Sequence, residues 1–137
     1  MATPTPTTWT EWNGTRGMAM WDAVWSTADN FTDQVIVDIS GLGAPVPGAV
    51  KIIGVYVSIN GDITATLEFD ATTDQLIYAF RNQTDSALRE SIDFREGPNG
   101  GRSPDRSAAG FTGDIMVTTT NVASGDELTL LIWFERK

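Results

Sequence analysis

From residue 16 onward the sequence runs in short apolar or alternating stretches, each closed by Gly, Asn, Asp or Ser, and nowhere does it demand an amphipathic helix. Eight such stretches stand at 17–26, 33–39, 50–59, 62–70, 75–80, 89–94, 113–120 and 126–136. Few folds accept that pattern. It predicts an all-β fold, an antiparallel β-sandwich of about eight strands, each turning one face inward. Residues 84–90 have room for a single helical turn at most.

The alternation assigns faces. In 50–59 it places Ile53, Val55, Val57 and Ile59 inward, with Tyr56 and Ser58 outward. In 62–70 it places Ile63, Ala65, Leu67 and Phe69 inward, and in 33–39 and 75–80 it groups Val35, Val37, Ile39 and Leu76, Tyr78, Phe80. Val55, Val57, Ile63, Leu67, Phe69, Leu130 and Ile132 are the expected core. Asn60-Gly61, between two alternating runs, predicts a tight hairpin joining 50–59 to 62–70. Two stretches differ from the rest. In 17–26 both faces are largely apolar, and in 126–136 Leu131 and Trp133 oppose Leu128, Leu130, Ile132 and Phe134, so a second face there is expected to be covered.

Composition narrows the chemistry. The 137 residues suit one domain and contain no Cys and no His, which removes thiolate and imidazole catalysis and the usual zinc sites. Eighteen acidic against nine basic residues give a net charge of -9, a poor match to a nucleic-acid phosphate backbone. The longest apolar stretch, 128–134, is too short to span a bilayer, and the amino terminus lacks the basic start and apolar core of a secretory signal. Neither nucleic acid nor membrane is therefore an expected partner. Glu68, Asp70 and Asp62 share one strand face and could form a carboxylate pair, but exposed strand faces carry such residues for solubility. The oxygen-rich loops around Asp29, Asn30 and Asp33 and around Asp70 and Asp74 lack calcium-loop spacing, and their residues read as turn caps. No catalytic residue, cofactor or metal is expected.

Residues 1–14, rich in Pro and Thr, read as an extended arm ahead of a single sandwich domain at 15–137. Trp9, Trp12, Trp21 and Trp25 place four of the five tryptophans in the first 25 residues. One of Trp21 and Trp25 suits the core, while Trp9 and Trp12 suit anchors buried against a partner. Residues 95–110 form a long aperiodic loop in which Arg95, Arg102 and Arg106 are spaced for ion pairs with an acidic neighbour surface. These seven residues are the candidate interface. Tyr56, Tyr78 and Trp133 are the candidates should a sheet face stack sugars instead.

Residues 61–74 (GDITATLEFDATTD), 111–121 (FTGDIMVTTTN) and 124–133 (SGDELTLLIW), with NGTRGMAM and VIVDISGL ahead of them, resemble a family of small tailed-bacteriophage virion structural proteins. The family pattern joins a Phe/Trp-Asp-Ala-Thr-x-Asp turn, an Asp-Phe strand, a Gly-rich loop, a Tyr/Phe-Thr-Gly-Asp-Ile turn and a Ser-Gly-Asp hairpin. Asp93-Phe94, Gly97 to Gly101, Phe111 to Ile115 and Ser124 to Asp126 stand at those places, and the likeness spans about residues 13–137. The Arg-rich insertion between Glu96 and Arg106 is longer than that pattern. The resemblance implies a jelly-roll-like sandwich and a non-enzymatic capsid decoration or cement protein. Such a protein is made in the host cytoplasm and sits on the virion surface as a small oligomer, dimer or trimer, bound to the major capsid protein. A place at the head-tail junction or tail, or a carbohydrate-binding module, are the alternatives.

Overall fold

The computed structural model describes residues 4–82, 87–95 and 100–137. Strands β1 (Thr7–Trp12), β2 (Arg16–Val24), β3 (Gln34–Val37), β4 (Val50–Asn60), β5 (Thr64–Phe69), β6 (Gln75–Arg81), β7 (Ala87–Asp93), β8 (Ile115–Thr120) and β9 (Glu127–Arg136) follow in chain order. They form two antiparallel sheets, ordered β1-β2-β9-β4-β7 and β3-β8-β5-β6. Among the described strands, only the consecutive pairs β1–β2 and β5–β6 lie in one sheet. Every other connection crosses the sandwich, so β2 to β9 make the two interlocked four-stranded sheets of a jelly roll, and β1 adds an edge.

The inner faces meet as expected: Val55, Val57, Ile63, Leu67, Phe69, Leu130 and Ile132 are all buried. Three register shifts move individual residues. Between Ile52 and Gly54 an extra residue on β4 faces a continuous β9, so Ile52 is buried and Ile53 only half-buried. Leu67 and Glu68 oppose Tyr78 and Leu76, which leaves Ile77 inserted and buried while Leu76 turns to solvent. A shift between Val35 and Val37 exposes Val35 and buries Ile36, Val37 and Ile39.

Asn60-Gly61 is not a hairpin. β4 pairs with β7 and β9, and β5 belongs to the other sheet, so the Asn-Gly pair makes a corner between the layers. Neighbours hold that corner. Asn60 Nδ2 donates to Glu127 Oε2 at 3.1 Å, and Asn82 Nδ2 donates to the Gly61 carbonyl at 2.7 Å. Gly61 has φ +116°, and the Asp126 carboxylate fills the space a β-carbon would need. Both strands alternate whichever way the chain turns, so the local pattern does not distinguish hairpin from corner.

The expected arm is also part of the fold. Thr7–Trp12 pairs along β2, from Thr7 opposite Asp22 to Trp12 opposite Gly17. Gly17 makes this docking feasible: the Phe134 ring occupies the place of its missing side chain and stacks on Trp12 at 5.8 Å and 12°.

Candidate interface on the five-stranded sheet

Antiparallel register sets the outer face of the five-stranded sheet in rows. One row runs Trp9, Met20, Leu131, Tyr56, Ser91; the next runs Glu11, Met18, Trp133, Gly54, Asp93; a third runs Thr7, Asp22, Thr129, Ser58, Arg89. Such a face ordinarily carries polar residues. Here Trp9, Met18, Met20, Leu131, Tyr56 and Trp133 make an apolar band, with Trp9 41% exposed and the others half-buried. Its surround is polar and internally paired. Glu135 holds Arg16 and Lys51, each at 3.2 Å, Thr129 Oγ1 donates to Asp22 at 2.5 Å, and Arg95 forks onto Asp93.

The four amino-terminal tryptophans separate. Trp21 and Trp25 are buried, both set edge-on to Phe31, so neither offers surface to a partner. Trp25 Nε1 donates to the Asp29 carbonyl at 2.8 Å, whereas Trp21 Nε1 has no acceptor among the described residues. Trp12 is spent on its own chain: besides Phe134, its Nε1 donates to the Pro45 carbonyl at 3.3 Å and the Arg136 guanidinium lies 5.8 Å from its ring. Arg136 in turn donates to the carbonyls of Gly14 and Pro45, clamping the β1–β2 turn. Trp9 remains as the tryptophan presented outward.

The candidate arginines are likewise distributed over their own domain. Arg95 donates through Nε and Nη2 to the two Asp93 oxygens at 3.1 and 3.0 Å. That contact holds the Asp93 carboxyl below the usual range and the guanidinium above its own. Arg102 exchanges backbone hydrogen bonds with Ile52 and donates from Nη2 to the Leu76 carbonyl at 2.9 Å, tying β4 to β6 across the sandwich. Arg106 packs over Gly48. Each is engaged by a different part of the domain, and residues 96–99 of their loop lie outside the described residues.

On the opposite sheet Glu68 meets Asp33 and Asp74 rather than Asp70, with a ligand oxygen of each within 4.8 Å of the others. Burial, then the charges of Asp74 and Asp33, raise the Glu68 pKa, against a hydrogen bond from Thr118. Asp74 is raised chiefly by burial, as is Asp114, beside Asp38 and Asp70. Asp70 caps a loop by accepting from Thr112 Oγ1 at 2.6 Å. Of the sugar-stacking candidates, Tyr56 and Trp133 share the outer face, whereas Tyr78 packs against Phe80 and Phe94 at the edge of the core.

These features define an antiparallel jelly roll with one apolar outer face. The sequence matches no known family profile and no curated protein. Among solved structures the chain is similar to one in the acidic stable capsid structure of Helicobacter pylori bacteriophage KHP30, at 11% identity and TM-score 0.49, covering 94% of this chain and 93% of that one. It is also similar to the Tobacco streak virus coat protein, at 11% identity and TM-score 0.37, covering 92% and 88%. A chain of the Bacillus endospore appendages, a novel family of disulfide-linked pili, is similar at 12% identity and TM-score 0.36, covering 100% and 96%. Likenesses of this strength extend to the β architecture and carry nothing about function.

Proposed function

We propose that the chain is a non-enzymatic structural component of a bacteriophage virion, a decoration protein seated on the major capsid protein. The observation that carries this reading is the band Trp9, Met18, Met20, Leu131, a contiguous apolar surface on a sheet face that an isolated sandwich would make polar. The sequence resemblance of residues 61–74, 111–121 and 124–133 supports the same role. So does a chain without His or Cys, whose strand faces carry threonine rather than a catalytic set. Trp9 is the anchor in this reading, in a pocket of the partner, with Met18 and Met20 adapting around it. The acidic body favours a partner whose contact surface is basic at its margin.

Quantitative mass spectrometry of purified particles tests the role. Hundreds of copies per particle are expected. A ring-like stoichiometry of about 6 to 12 moves the protein to the head-tail junction or tail, and absence from the particle refutes the reading.

A further inference from the structure

At the β7 side of the same face, the row Trp133, Gly54, Asp93 is interrupted because Gly54 has no side chain. The gap is a notch of about 350 Å³, walled by Trp133 on one side and by Ser91, Asp93 and Arg95 on the other. That volume lies at the small end of the range for small-molecule sites, about 300–1,000 Å³. The polar wall is an ion pair between two solvent-facing side chains. Asp93 Oδ1 receives both Nε and the backbone N–H of Arg95, at 3.1 and 2.9 Å, and Oδ2 receives Nη2 at 3.0 Å. A guanidinium has five N–H donors, and this fork uses two of them, so donors outside the fork stand next to carboxylate lone pairs.

We propose that this notch binds a neutral pyranose sugar, with Trp133 as the stacking wall and the Asp93–Arg95 pair as the partner of two adjacent ring hydroxyls. The C–H bonds on one face of a pyranose are slightly positive and pack on the negative π surface of an indole. Each sugar hydroxyl both donates and accepts, so a carboxylate acceptor beside a guanidinium donor matches a vicinal diol. Charge selects against the alternatives. The ion pair is locally neutral, which leaves a single cation or anion without a counter-charge, and the -9 body repels acidic sugars and phosphates. The floor of the notch, Gly54 on β4, lies three strand spacings or about 14 Å from Trp9 on β1, and its Asp93–Arg95 wall lies further still. Sugar binding therefore does not rest on the virion reading, and it is compatible with attachment through the β1 side.

Gly54 supplies a clean variant. A β-carbon there would meet the Ile92 carbonyl oxygen at 3.4 Å and Trp133 Cε3 at 3.6 Å, so Gly54→Ala fits the fold while filling the floor of the notch. The full chain is to be applied to an array of neutral oligosaccharides of glucose, galactose, mannose and N-acetylglucosamine, with sialylated and phosphorylated glycans alongside. Retention of at least one neutral glycan is expected, with its signal reduced at least tenfold by Gly54→Ala and by Arg95→Gln and unchanged by Trp9→Ala. Circular dichroism of each variant reports folding, and Trp133→Phe replaces any variant that fails it. No retention of any neutral glycan, a preference for the acidic glycans, or retention indifferent to Gly54→Ala overturns the proposal.

Discussion

Trp9 and Trp12 stand on one six-residue strand and serve opposite purposes. Trp12 is a fastener whose ring, indole N–H and cationic neighbour all engage the same chain. Trp12→Ala is expected to lower stability by about 2 kcal/mol or more, since a half-buried aromatic is lost from the edge of the core. Trp9→Ala should cost less, about 1 kcal/mol or below, because its ring lies on the outer face of an edge strand and is 41% exposed. Urea unfolding monitored by circular dichroism separates the two. The reverse order would mean that Trp9 is structural and that the outward band is not a docking surface. In the core, Leu67→Ala should cost roughly 2–5 kcal/mol, as at other fully buried leucines.

At the scale of elements, β1 behaves as a member of the sheet. Deleting residues 4–12 should lower the unfolding midpoint, because it uncovers Phe134 and strips β2 of its partner. A disposable tail would leave that midpoint unchanged. The corner at Gly61 makes a second claim: Gly61→Ala should destabilise by roughly 1–3 kcal/mol, since it imposes a disfavoured φ and displaces Asp126. Strand existence was legible in the sequence because period-2 alternation survives wherever one face is buried, as in Ile63, Ala65, Leu67 and Phe69. Bulges were not legible, since inserting one residue at Ile53 or Ile77 costs the pattern little and reverses the faces beyond it. Nor was pairing. The apolar second faces of 17–26 and 126–136 were visible separately, but only the register of Met18 with Trp133 and Met20 with Leu131 makes them one surface. The arm misled for a related reason: its Pro and Thr residues specify extended backbone, which suits a free tail and an edge strand equally.

For the whole molecule, charge dominates the response to pH. Glu68, Asp74 and Asp114 have folded-state pKa values raised above their ordinary ones, mainly by burial, so the native state binds protons more readily than the unfolded chain. Stability should therefore rise as pH falls from neutral toward about 4.5, and be lost again as pH rises through the raised values. Asp93 and Asp105 act in the opposite sense. Their lowered pKa values give stability that is present above about 4 and lost in stronger acid. Urea midpoints from pH 7 to pH 3 should pass through a maximum, and Glu68→Gln should flatten the neutral limb. A midpoint that falls steadily from pH 7 would contradict this account of the acidic groups. Acidity also bears on assembly, because a body of net charge -9 repels its own copies and is better matched to a basic-margined partner than to self-stacking.

The central claim, that this jelly roll is a virion component attached through the Trp9 side of its five-stranded sheet, is tested most directly by a cryo-EM map of the particle whose genome encodes it. The account predicts sandwich-shaped density on the outside of the shell, with Trp9, Met20 and Leu131 buried against the major capsid protein and the β7 edge open to solvent. Density in which that face points to solvent, or a shell without the sandwich, would contradict it.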